Sequence, residues 1–175
     1  YLFSEVDNFY FYDFVTPDGY VDENVFAYSN QAEGEKAIVF YNNKFQDTSG
    51  WIRHSLPKKD KKANGEDKGM TSQPMAEALN IRNDENYFTI FRDHQDNLYY
   101  IRNNKNLHED GIFVSLGAFK YHVFLDFREV QDVDNIYSEL AAFLDGRGVP
   151  DINEALQETM LQPVHQASRK IFNKQ

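Results

Sequence analysis

The chain contains no cysteine, which excludes disulfides, zinc ribbons and thiol catalysis. No apolar run approaches the roughly 20 residues that a membrane-spanning helix needs. Base is scarce relative to acid: 18 Lys and Arg stand against 28 Asp and Glu, a net charge of −10. Binding to nucleic acid or to an anionic membrane begins with neutralising phosphates, so this balance argues against both partners. The one basic cluster, Lys58-Lys59-Asp60-Lys61-Lys62, sits among glycine, asparagine and acids and reads as part of a solvated loop. A cysteine-free composition is compatible with the cytoplasm, the compartment expected here. The chain opens at Tyr1 without Met and without a leader-like apolar region. It therefore reads as a piece of a longer polypeptide, with any export signal of the parent outside it.

What the chain does have is aromatic and hydrophobic content. Its 175 residues are 41% hydrophobic and 15% aromatic, enough for one well-buried core. The aromatics are 15 Phe and 11 Tyr with a single Trp, a mix that suits strands and packed interfaces. Val25 to Ser29 and Lys36 to Tyr41 are strand-like runs flanking a turn on Glu33-Gly34-Glu35, where Gly34 can take a positive φ. A second hairpin is expected from Tyr87–Arg92 and Leu98–Arg102 across Asp93-His94-Gln95-Asp96-Asn97. Gly50 to His54, Gly111 to Leu116 and Tyr121 to Phe127 add further strands. In the last of these, Tyr121, Val123, Leu125 and Phe127 alternate with His122, Phe124, Asp126 and Arg128, so one face is inward. Phe9-Tyr10-Phe11-Tyr12 has no polar break. It reads either as a strand buried on both faces or as a surface that covers a neighbouring domain.

Residues 56–71 form an exposed excursion, followed by a short helix from Ser72 to Leu79 and a helical turn between Asn103 and Asp110. From Asp132 the period becomes helical. Ile136, Leu140, Phe143 and Leu144 share a stripe, with Asp134 as N-cap and Gly146 past the end. Asp151 and Glu154 have capping-box spacing, and Pro163 is expected to kink that helix or to open another. The predicted architecture is mainly β: an antiparallel Greek-key β-sandwich over 1–130, then a helical extension over 131–175.

The segment from Asn24 to Asn43 (apolar-aromatic strand, Gly-Glu turn, apolar strand, Asn-Asn) resembles the opening of a known domain. That domain is the C-terminal β-sandwich of alpha-amylase family glycoside hydrolases. Ser115-Leu-Gly-Ala-Phe-Lys-Tyr-His-Val-Phe-Leu125 is similar to its closing strand. Phe91-Arg-Asp-His, Leu98-Tyr-Tyr-Ile-Arg102 and Phe124 to Gln131 resemble a subgroup of large bacterial members in which the sandwich runs into a helical tail. The resemblance covers about 24–129. It implies an accessory domain partnered by the catalytic (β/α)8 barrel of its own parent chain, in an enzyme acting on alpha-glucan. The family's Gly-x-Arg-x-Asp nucleophile strand and Asn-His-Asp segment are both missing, so no catalytic residue carries over.

Candidate chemistry is sparse. Glycoside hydrolysis needs two carboxylates at a set separation. Asp7, Asp13, Asp18, Asp22, Glu23, Asp126 and Glu129 are numerous enough to produce such a pair by chance, and they read as surface charge. Asp93, His94 and Asp96 could face one metal ion, though Asp and Asn suit a hairpin turn for backbone reasons alone. Asp18 to Asn24 is acidic but lacks the alternating ligands of a calcium loop. No metal or cofactor is expected. Sugar binding is the most plausible retained activity, and Trp51 with Arg53 is the candidate pair, a ring to stack on a pyranose beside a polar side chain. If they provide it, the chain is an autonomous carbohydrate-binding module; if not, its role is structural.

Overall fold

The computed structural model describes residues 8–59 and 69–172, with side chains described through residue 162. In chain order the strands are β1 (Tyr10–Tyr12), β2 (Val25–Ala32), β3 (Glu35–Asn42), β4 (Thr48–Ile52), β5 (Lys58–Lys59) and β6 (Met70–Thr71). They continue with β7 (Tyr87–Asp93), β8 (Tyr99–Asn103), β9 (Ile112–Leu116) and β10 (Tyr121–Gln131). The helices are α1 (Met75–Ala78), α2 (Asn104–Asp110), α3 (Ile136–Leu144) and α4 (Ile152–Phe172). The protein is mostly β, with a large antiparallel sheet in the order β1-β2-β3-β10-β7-β8.

The first hairpin is longer than its apolar runs suggest. β2 and β3 pair from Val25↔Asn42 to Ala32↔Glu35, leaving only Glu33 and Gly34 in the turn. Both have positive φ, 50° and 87°, the combination whose twist matches the flanking strands. Period-2 alternation then sends Val25, Ala27 and Ser29 inward and Phe26 outward.

β10 is the strand that joins the two hairpins. Its first residues, Tyr121 to Phe124, pair with β3, and Phe124 onward pairs with β7. The register shifts between Leu125 and Arg128, where Asp126 sits at φ +56°. This bulge overturns the simple alternation expected for the strand. His122 and Phe124 face the core before it, while Phe127 returns to the same core after it and stacks on Phe91 at 5.2 Å. Tyr121, expected inward with Phe127, is exposed.

One face of the sheet carries the main core: Ile38, Phe40, Phe91 and Phe124 pack against Ile52, Ile112 and Leu116 of the β4–β9 ribbon and against Met75, Leu79 and Leu107 of the α1 and α2 region. Among the described residues, the opposite face is covered at one end only. There Phe88, Ile90 and Ile101 pack under Leu140, Leu144, Ile152 and Ala155 of α3 and α4.

Several local expectations change. Phe9 to Tyr12 is not buried on both faces: Tyr12 points into the core and donates to or accepts from Ser29 Oγ at 2.6 Å, while Phe11 is 52% exposed. Asp132, not Asp134, serves the α3 N-terminus, its carboxylate taking the Tyr137 and Ser138 amides. α4 runs through Pro163 without a break, opened by Asp151 Oδ1 accepting from Asn153 and Glu154 N–H. The excursion predicted over 56–71 has the β5–β6 pairing at its base, and residues 60–68 lie outside the described residues.

Candidate functional site

Trp51 and Arg53 do come together. Residues Val21, Val15, Trp51 and Phe113 form one cross-strand row, through the Val15 bridges and the β4–β9 register. The row faces away from the core because Ile52 and Ile112, one position on, face into it. Trp51 is partly buried. The Arg53 guanidinium lies 4.9 Å above its ring, and the Phe113 ring leans against it at 4.7 Å. Arg53 is itself tethered, its Nε donating to the Asp110 carbonyl at 3.1 Å. A sugar stacking on Trp51 competes with these neighbours for the ring.

The Asp93 turn is used differently from a metal loop. Asp93 is fully buried and accepts from His122 Nδ1 at 2.5 Å, from the Gln95 amide at 3.0 Å and from the Val123 amide at 3.3 Å. His122 Nε2 meets the Ser115 carbonyl at 3.1 Å. Both ring nitrogens therefore face acceptors, the arrangement of an imidazolium. Asp96 instead receives the Leu98 amide and the Tyr100 hydroxyl. In the Asp18 to Asn24 segment the Asp22 carboxylate is bonded by Lys44, Thr48 and Asn24. Among the described residues no three acidic or histidine side chains converge as a metal site requires.

The Asp93–His122 pair is also not a relay to a nucleophile. His122 meets the backbone oxygen of Ser115, whereas the Ser115 hydroxyl is bonded to Ser49 Oγ at 2.8 Å on the ribbon's outer side. Its role is to tie β7, β10 and β9 together, and that tie depends on pH. Burial by itself pushes the Asp93 carboxyl up, but the bonds from His122 and the backbone amides outweigh it and hold the carboxyl below its ordinary value. Burial by itself pushes His122 down, but the Asp93 bond and charge outweigh it and raise the imidazole. The carboxylate's contribution is complete above its unfolded pKa, about 4, and is lost as pH falls through the lowered folded value. The imidazolium's contribution is complete below about 6.5 and is lost as pH rises through the raised folded value. Asp93→Asn is expected to cost about 2 kcal/mol at pH 6 and to flatten the loss of stability as pH rises above about 6.5. Urea midpoints across that range check it; an unchanged pH slope in the variant contradicts the assignment.

The third feature is the part of the sheet's outer face that no described residue covers. Phe11 pairs with Tyr28, Tyr28 with Val39 and Val39 with Val123; beside that row, Phe26 pairs with Tyr41 and Tyr41 with Tyr121. Phe9 stacks on Tyr28 at 5.1 Å and Phe26 on Tyr41 at 6.5 Å. Phe11, Phe26, Tyr41 and Tyr121 are all exposed. An open cleft of about 220 Å³, lined in part by Phe11, Phe26, Leu56, Asp13 and Glu23, lies beside them.

No protein-family model, curated protein or solved structure matches this chain.

Sequence reasoning missed two of these features. The Asp93–His122 pair joins residues 29 apart on different strands, and only the strand phase that puts His122 beside Phe124 hinted at an inward histidine. The aromatic face was hidden because Phe26, Tyr28, Tyr41 and Tyr121 alternate with core residues, so each strand reads as apolar on both sides. That two-sided pattern was the available signal.

Proposed function

We propose that this chain is the non-catalytic C-terminal domain of an alpha-amylase-type glycoside hydrolase acting on alpha-glucan. In this reading the large sheet and the β4–β9 ribbon are the two layers of a Greek-key sandwich, and the aromatic outer face docks onto the catalytic (β/α)8 barrel. The observation that carries it is that face. At ~200 Å² per ring residue, the four exposed aromatics present on the order of 400 Å² of contiguous surface, the scale at which apolar area marks an interaction site.

Continuity favours a helical occupant. The same sheet face, a few strands along, is covered by the apolar stripes of α3 and α4. A barrel presents helices on its outside, so it can continue that cover. A self-sufficient carbohydrate-binding module at Trp51 and Arg53 has less behind it, because Arg53 and Phe113 already occupy the ring.

The parent is expected to be encoded in the same reading frame, and the purified chain is expected to release no reducing ends from soluble starch. Placing Phe26→Asp with Tyr41→Asp in the parent should lower its stability by about 2 kcal/mol more than it lowers that of the isolated chain, where only the lost ring stacking and the cross-strand Asp–Asp repulsion act. Starch hydrolysis by the chain alone, or equal destabilisation of the isolated chain and the parent, contradicts the reading.

A further inference from the structure

At the end of the sheet where β3 stops and β10 starts, two loops meet. Phe45, 83% exposed, projects from the first, and Phe119, 52% exposed, from the second. Their rings stand 6.1 Å apart at 69°, edge to face, so neither covers the other.

The loops beneath are tightly tied. Buried Asn42 spans them, its Nδ2 donating to Gln46 O at 2.8 Å and to Gly117 O at 2.9 Å. The Phe119 amide donates to Lys44 O, and the Ala118 amide to Asp47 Oδ1 at 3.0 Å. Lys44 is anchored in turn on buried Asp22. The chain thus holds two large apolar rings in water on a rigid support. It does so at a conformational cost, because Phe119 has φ +54°, a region that bulky residues avoid and glycine or asparagine fill easily. A turn that only reverses the chain has no use for phenylalanine there. Strain of this kind collects where a side chain must be aimed.

We propose that Phe45 and Phe119 form a binding tip for a pyranose ring of a neutral glucan. The C–H face of a pyranose is apolar and its rim is all hydroxyl, so it needs an exposed ring face bordered by short-range donors and acceptors. Asn43, Gln46, Asp47 and Lys120, all exposed on the same two loops, supply amide, carboxylate and ammonium groups of both signs. That mixture suits a neutral ligand better than a phosphate surface, which the chain's acidity opposes. Rigidity limits the ordering cost of binding. The site rests on its own geometry; the choice of alpha-glucan as ligand rests on the function proposed above.

The test is titration of the ¹⁵N-labelled full chain with maltoheptaose and with cellohexaose, each to about 10 mM, the range of weak single-ring binding. Amide shifts confined to 43–47 and 117–120 are expected with maltoheptaose. Phe45→Ala and Phe119→Asn should each weaken binding roughly ten-fold or more. Phe119→Asn should keep or gain thermal stability, since asparagine accepts the left-handed backbone, which separates lost binding from lost folding. Binding of cellohexaose alone upholds the tip and overturns the alpha-glucan reading. No shifts with either sugar, shifts elsewhere, or unaltered binding by both variants overturns the tip.

Discussion

Gly111→Ala is expected to destabilise the domain by about 4 kcal/mol, a large share of the roughly 5–15 kcal/mol that holds a domain folded. Gly111 ends α2 with φ 72° and ψ −149°, a region open essentially to glycine alone. A Cβ there would lie 1.9 Å from the Ile52 carbonyl oxygen and 2.9 Å from Arg53 Cα. Both are backbone atoms, so relief requires moving β4 away from β9 at the point where Ile52 pairs with Ile112. The conformational penalty and the overlap each contribute about 1–3 kcal/mol. Urea unfolding of the variant measures the sum. A loss under about 1 kcal/mol means that the ribbon is not held where the structure places it.

Phe91→Ala carries the second large effect, also about 4 kcal/mol. Phe91 is 1% exposed on β7, and its ring meets Phe124 at 4.9 Å, Phe127 at 5.2 Å and Tyr100 at 5.7 Å. Those partners lie on β10 on both sides of its bulge and on β8, so truncation leaves a cavity walled by three aromatic rings. Rigid neighbours of this kind collapse poorly, which puts the cost toward the upper end for such changes. The urea midpoint should fall with the slope unchanged. A cost below about 1.5 kcal/mol shows that the core closes over the gap and is not organised around this residue.

How much of this was legible depended on the range of the interactions. The hairpins were visible because local signals agree: Glu33-Gly34 makes the turn, and Val, Ile, Phe and Tyr on either side favour extended backbone. The α3 stripe was visible in part: Leu140 and Leu144 fall one helical turn apart and are buried, but Tyr137 and Ala141 pack beside them and Phe143, expected on the same stripe, is exposed. Nothing local marked the bulge at Asp126, where the pairing of one strand with two neighbours breaks the alternation and brings Phe127 back to the core. Nor could the sequence show that Trp51 has Arg53 and Phe113 on its ring, or that Asp93 turns inward to His122 rather than outward with His94. These are contacts between distant segments, set by sheet order. The two loops that carry Phe45 and Phe119 are adjacent for the same reason: Asn42 and Gly117 are 75 residues apart in the chain and hydrogen-bonded in the fold.

The aromatic outer face carries the functional account, and its most direct test is association in trans. The chain and the catalytic barrel of the proposed parent are produced as separate polypeptides and mixed in an analytical ultracentrifuge, with wild-type chain and with Phe26→Asp/Tyr41→Asp. A one-to-one complex is expected, weakened by roughly a hundred-fold or more in the double variant. No complex with the wild-type chain, or a complex that the variant leaves equally tight, contradicts it.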